Sequence, residues 1–186
     1  MYLTNGQITL RPVTLNDAYE LFNLIDASRQ NLRRYLPWVD DIYQPEDEQT
    51  SLAKSLPKQT ILMLAIEIDQ TIVGLIDLHD ISKDHHKAQI GYFLGDAYVG
   101  LGYMNQALNL LQKYAFEEMN LHRLEILIDI TNHKSQAVAQ RLGYQKEATL
   151  RDYLYYNKQF RTFYLYALLK SEWQMKNKFK GEKNEI

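Results

Sequence analysis

Apolar and polar residues alternate with two distinct periods along this chain, and the periods set its elements. Ile8, Leu10 and Pro12 alternate with Thr9, Arg11 and Val13, which predicts a first strand. A helix follows from Asn16 or Asp17 to about Arg34, with Ala18, Leu21, Phe22 and Ile25 at helical spacing. Leu36-Pro37-Trp38 breaks it. Pro45 and the acidic run Glu46-Asp47-Glu48 open a second helix ending near Pro57, since carboxylates favour a helix start. Residues 60–68 and 72–79 read as a hairpin around Asp69-Gln70-Thr71, and 81–87 reads as a loop. Ala88–Leu94 is the next strand. After Gly102 comes a helix with Met104, Ala107, Leu108, Leu111, Ala115 and Met119 on one face. Leu124, Ile126, Ile128 and Ile130 alternate as a strand; Asn132 then caps a short helix bearing Val138, Ala139 and Leu142, which Gly143 ends. Residues 144–156 and 160–170 form two long strands joined around Asn157-Lys158. The expected fold is α/β (α+β): a mixed sheet of about seven strands with helices on both faces.

One junction carries chemistry. Gly100 and Gly102 lie where a strand turns into an amphipathic helix. Glycines there expose backbone N–H groups, and the helix end adds about half a positive charge. That is an anion site, most often for phosphate. Tyr103 after Gly102 excludes the Gly-Lys-Ser/Thr of a P-loop. Asn105 stands where a dinucleotide fold places its third glycine, and the long antiparallel runs argue against repeated βαβ units.

Composition narrows the rest. At 186 residues the chain fits one domain, assigned to 1–175, with a charged, frayed tail over 176–186. No cysteine is present, so a cysteine nucleophile, thiolate zinc sites and disulfides are excluded. A net charge of −2 gives no basic excess for nucleic acid. No signal peptide and no membrane span are expected, and the reading is cytoplasmic. His85-His86 would point apart in extended chain with no third ligand near, so no metal is expected; His122 and His133 read as packing or exposed residues.

The glycine turn, Ala97-Tyr98-Val99-Gly100-Leu101-Gly102, resembles the coenzyme A loop of the GCN5-related N-acetyltransferases (GNAT), Gln/Arg-x-x-Gly-x-Gly/Ala, with Ala97 departing at the first position. The likeness to the RimJ/RimL-type ribosomal-protein N-terminal acetyltransferases extends over nearly the whole chain. Leu10-Arg11-Pro12 with Asp17, Ile90-Gly91-Tyr92-Phe93, Gly100-Leu101-Gly102-Tyr103, Tyr114-Ala115-Phe116-Glu117 and Leu121-His122-Arg123 carry it. So do Asn132-His133-Lys134-Ser135, Arg141-Leu142-Gly143-Tyr144 and Glu172-Trp173.

That resemblance implies acetyl-CoA as donor and a primary amine as acceptor, joined in a ternary complex. It implies that the strand before the loop splays from its neighbour, with Phe93 and Leu94 against the pantetheine arm. Val99, Gly100, Leu101, Gly102, Tyr103 and Met104 would meet the pyrophosphate. Asn132 would touch the coenzyme, Ser135 would serve as general acid at its sulfur, and the backbone at Phe93 would hold the oxyanion. Trp38 and Tyr92 would contact the acceptor, beside a tyrosine-rich hairpin with rings at 153, 155, 156, 164 and 166.

The base is less defined. Leu154 stands where some relatives carry Glu, with Asp152 two residues away on the same face; Asp77, His79 and Tyr92 are alternatives acting through water. The family often places an acidic residue soon after the hairpin turn, where Arg161-Thr162 stands here. The favoured acceptor is a protein N-terminal α-amine. A polyamine or small amine is the rival, since the same coenzyme motifs serve both; the acidic Asp40, Asp41, Glu46, Asp47 and Glu48 would suit a cationic peptide or amine and equally a solvated helix start. A coenzyme A–binding module without catalysis is the alternative of another class. Monomer and homodimer both fit.

Overall fold

A computed structural model of the chain describes residues 1–182. Its elements run β1 (Leu3–Thr4), β2 (Thr9–Pro12), α1 (Ala18–Leu32), α2 (Pro45–Ser55), β3 (Leu62–Ile68), β4 (Thr71–Ser82), β5 (Lys87–Leu94) and α3 (Tyr103–Lys113). They continue with β6 (Arg123–Asp129), α4 (His133–Arg141), β7 (Gln145–Tyr156), β8 (Gln159–Leu169) and α5 (Lys170–Glu182). Eight strands form one sheet in the order β1-β2-β3-β4-β5-β6-β8-β7. The mixed sheet is as expected; the eighth strand is the two-residue β1, too short to show any alternation. Every pairing is antiparallel except β5 with β6.

The hairpin turns follow their local chemistry. Asp69 and Gln70 join β3 to β4, and Asn157 and Lys158 join β7 to β8, with all four residues at positive φ. Two-residue turns of that hand match the right-handed twist of paired strands. The loop read over 81–87 is shorter, because β4 continues to Ser82 and β5 starts at Lys87. The helix read through Met119 ends its α-helical part at Lys113 and passes into a π-helical turn, Tyr114–Glu118. Helix α5 carries the chain from Lys170 to Glu182, into the segment from 176 read as a frayed tail; the last four residues of that segment, 183–186, lie outside the described residues.

Side chains from the two faces of the sheet build two cores. On one face Ile76, Leu78, Ile90, Leu124, Ile126 and Ile128 pack under α3 and α4 through Ala107, Leu108, Leu111 and Ala139. On the other, Ala65, Leu75 and Phe93 pack under α1 and α2 through Leu21, Ile25 and Leu52. The Arg11–Asp17 pair ties β2 to the start of α1: two guanidinium nitrogens donate to the carboxylate at 2.8 Å each, and Arg11 Nε donates to Glu67 at 2.7 Å. Leu10-Arg11-Pro12 with Asp17, part of the family likeness, is therefore a fold-building constellation. No helix among the described residues is long and apolar enough to cross a membrane.

Candidate active site

The sheet opens at one place. β5 and β6 share only three register pairs, Lys87–Arg123, Ala88–Leu124 and Gln89–Glu125. Beyond them β6 turns to β8 along its full length, while β5 keeps only β4. Residues 90–94 thus line a gap with one strand edge unpaired. Gly95 N–H donates to Val73 O at 2.9 Å, on the β4 side. Alternation along a strand then turns the N–H of Phe93 toward β4 as well and leaves those of Tyr92 and Leu94 on the gap side. The Phe93 N–H, expected as an oxyanion donor, thus faces β4, and its two neighbours' N–H groups face the gap.

The glycine turn stands at the end of this gap. Gly100 and Gly102 have φ of +88° and +84°, a region that favours glycine, and nothing lies within 4 Å of where a Cβ would sit. Gly102 is the N-cap of α3 and offers no side chain to cap it. The first N–H groups of a helix have no intrahelical partners. Among the described residues those of Gly100, Leu101 and Gly102 bind no acceptor either. Tyr103 and Met104 open the helix, Met104 buried, while Val99 and Leu101 are exposed beside it. Arg141 reaches Asn105 Oδ1 at 3.4 Å, which brings a guanidinium to the same helix end. The whole turn is an anion cradle made of backbone.

Across the gap, α4 presents Asn132 and Ser135. Asn132 Oδ1 accepts the Ser135 N–H at 3.1 Å, so Asn132 is a helix cap. The Ser135 hydroxyl lies 2.6 Å from the Tyr92 hydroxyl. Burial pushes Tyr92 up to about 12, although the bond to Ser135 opposes it. Tyr92 is then neutral near pH 7 and keeps its proton. It packs on the α3 and α4 face beside Ser135, whereas Trp38 stands on the other face with Phe93. The pair of hydroxyls can pass a hydrogen bond into the gap.

The opposite face carries different residues. Trp38 lies in a 3-10 turn, Pro37–Asp41, with its ring centroid 5.9 Å from that of Phe93 and 39% of its surface exposed. Arg29 holds this turn by donating to Val39 O and, at 2.6 Å, to Ile42 O. The Tyr35 hydroxyl donates to Thr131 O at 3.2 Å, and Asn157 Nδ2 to Arg33 O at 3.1 Å. The α1–α2 connection is thereby fastened to the end of β6 and to the tip of the β7–β8 hairpin.

Beneath that fastening lies a buried network that sequence reasoning missed. Asp129 accepts from Thr131 N and Oγ1 at 2.8 and 2.6 Å, from Tyr156 OH at 2.9 Å and from Arg161 Nε at 2.8 Å. Burial alone would raise this carboxyl; hydrogen bonds from Arg161, Thr131 and Tyr156 outweigh it and hold Asp129 at about 2. Tyr156 is pushed up, first by burial and then by the same carboxylate. Arg161 is thus occupied inside the fold. A bulge between Leu150 and Leu154, with Asp152 at φ +51°, breaks the alternation of β7. The two-residue spacing of Asp152 and Leu154 therefore does not establish a shared face, and both residues are exposed.

Among the described residues no three His, Asp or Glu side chains group as metal ligands. His86 Nδ1 pairs with Asn120 O at 3.2 Å.

Known proteins resolve the class. The acetyltransferase (GNAT) domain matches residues 7–145. YdaF of Bacillus subtilis, named a "Putative ribosomal N-acetyltransferase", is 32% identical over 91% of this chain and 95% of its own. The spermidine N(1)-acetyltransferase of Escherichia coli K12 is 24% identical over 94% and 92%. Among solved structures, the microcin C7 self-immunity acetyltransferase MccE, in complex with acetyl-CoA and AMP, superposes with a TM-score of 0.83 at 26% identity, over 89% of this chain and 93% of that one. The chain belongs to the GNAT acetyltransferase family. It is an acyltransferase, and the open sheet of this fold is where its chemistry is to be sought.

Proposed function

We propose that the chain transfers acetyl from acetyl-CoA to the N-terminal α-amine of a protein or peptide. The observation that carries this reading is the continuity of the glycine cradle with the β5–β6 gap and the Tyr92–Ser135 hydroxyls on one face. Val99 to Met104 would hold the pyrophosphate by backbone N–H. Phe93 and Leu94 would border the pantetheine arm, and Asn132 would hold the start of α4 against it. The gap-facing N–H of Leu94 or Tyr92 would polarise the thioester carbonyl. Ser135, backed by Tyr92, would deliver the proton that the leaving thiolate needs. Trp38 and Phe93 would wall the acceptor.

The α-amine is favoured over a polyamine on two grounds. An α-amine, at about 8, is roughly one tenth neutral at pH 7, whereas an alkyl amine at about 10.4 costs about 4–5 kcal/mol to deprotonate. The acidic segment that would attract a polyamine is also largely committed to the fold. Asp40 pairs with Arg33 at 3.0 Å, Asp47 accepts the Tyr43 and Gln44 N–H groups at the start of α2, and Glu48 is buried. Similarity to a spermidine acetyltransferase keeps the polyamine as the competing substrate in the test.

Thiol release from acetyl-CoA, measured with α-amine peptides, spermidine and small amines, decides between them. Peptides whose only free amine is the N-terminus should give the highest kcat/KM. A spermidine rate above every peptide would transfer the assignment to polyamines. No release with any amine, alongside coenzyme A binding, would leave a binding module.

A further inference from the structure

The acceptor face of the gap holds one carboxylate with an oxygen free. Gln89–Glu125 is the last pair joining β5 to β6, so Gly91 is the next residue on that face, where the strands have parted. Asp77 of β4 is the register partner of Gly91. A Cβ on Gly91 would stand 2.7 Å from Asp77 Oδ2, so the carboxylate leans over the glycine toward the opening. Asp77 Oδ1 is engaged with His79 Nδ1 at 2.7 Å. Two residues further along β5 on the same face is Phe93, under the ring of Trp38. The side chains of Asp77 and His79 are 20% and 36% exposed, sheltered yet reachable.

We propose that Asp77, leaning over Gly91 and paired with His79, receives the acceptor's ammonium group and takes its proton. This rests on the acetyl-transfer reading above. One N–H bond of the ammonium breaks and an O–H bond forms at Asp77 Oδ2, while Asp77 Oδ1 keeps its hydrogen bond with His79 Nδ1. The freed lone pair forms the C–N bond to the acetyl carbon as the C–S bond breaks. The second proton lost from nitrogen balances the one taken up by the thiolate, and the pair returns its own to solvent after the amide leaves.

The surroundings suit a proton acceptor. His79 is raised above its ordinary value, first by the hydrogen bond with Asp77, against burial, and further by Asp80 and a contact with Gln89. The neighbouring charges are otherwise occupied. Glu125 is held by Arg123 at 2.6 Å with Lys87 at 3.9 Å, and Glu20 of α1 accepts the Ile72 N–H at the far end of β4. Across on β3, Asp77 faces Met63, which is apolar. Gly91 is required here for room, since any side chain would displace the carboxylate.

The test is a pH profile of thiol release for the full chain and three variants, with acetyl-CoA and an α-amine peptide. Asp77→Asn should lower kcat/KM about 100-fold and flatten its acid limb, while the thermal shift given by coenzyme A stays as in the parent. His79→Gln should move the acid limb to lower pH. Gly91→Ala, which keeps the carboxylate but pushes it aside, should cost about tenfold. Should Asp77→Asn fail to fold, the other two carry the test. An Asp77→Asn enzyme within threefold of the parent at every pH, or His79→Gln and Gly91→Ala profiles that superpose on the parent, would overturn the proposal. A parent that releases no thiol with any amine would remove the acetyl-transfer reading itself, and this assignment with it.

Discussion

The two sides of the β5–β6 gap are made differently. The side proposed for the donor is backbone: Gly100 and Gly102 at positive φ, an uncapped helix start and a strand edge with no partner among the described residues. The side proposed for the acceptor is made of side chains brought from Trp38, Asp77, His79 and Phe93, with Asp129 and Arg161 holding its frame. Backbone recognition is written in a few adjacent residues and tolerates changes in the side chains around them. Side-chain recognition depends on segments far apart in sequence, and each can be altered alone. A common donor and varied acceptors are what such a division permits.

That contrast can be broken most forcefully on the donor side. Gly102→Val places a β-branched residue at φ +84°, at the start of α3. We expect acetyl-CoA affinity to fall about 100-fold, or about 2.7 kcal/mol, with acceptor KM nearly unchanged, as calorimetry and steady-state kinetics would report. A drop below threefold would mean that the cradle does not hold the donor. Next in size, Ser135→Ala should reduce kcat about 30-fold, about 2 kcal/mol, with coenzyme affinity preserved. Unchanged turnover would remove Ser135 from proton delivery.

The third expectation concerns the acceptor half and stability alone. Glu48 of α2 is 4% exposed, and burial pushes its carboxyl up to about 7. An unfolded Glu titrates near 4.3, so as pH rises from there the unfolded state ionises first and stability falls, with the full penalty present above the folded value. Glu48→Gln should therefore raise the melting temperature at pH 8 by about 4–8 °C, about 2 kcal/mol, and leave it near the parent at pH 4. An equal shift at both pH values would contradict a buried, titrating carboxyl. Smallest of all, Trp38→Ala should raise acceptor KM about fivefold, about 1 kcal/mol, with donor KM constant. A loss shared by both substrates would make Trp38 a support for Phe93 rather than an acceptor wall.

The same division explains what could be read in advance. The strand at 123–129 follows from clean alternation at Leu124, Ile126 and Ile128, those at 62–68 and 87–94 from β-rich apolar runs, and the glycine turn from two glycines before an amphipathic run. Sheet order does not follow from period: β8 lies between β6 and β7, so β6 pairs with a strand 30 residues beyond its end. Motifs identify residues, whereas the direction of an N–H depends on which neighbour pairs; the Gly95–Val73 bond turns the Phe93 N–H toward β4. Asp129, Tyr156 and Arg161 carry no motif, being an Asp at a strand end and two residues of a hairpin. Only the paired register of β6, β7 and β8 assembles them.

The three pairs between β5 and β6 also leave the sheet with a seam along most of β5. Five strands stand on one side of that seam and three on the other, and beyond Gln89 no rung of the ladder spans it. A donor molecule lying in the opening would supply the missing rungs, acting as a mortar joint as well as a reagent. Each turnover would then remove and replace part of the wall, and the protein would be at its loosest in the interval between one donor and the next.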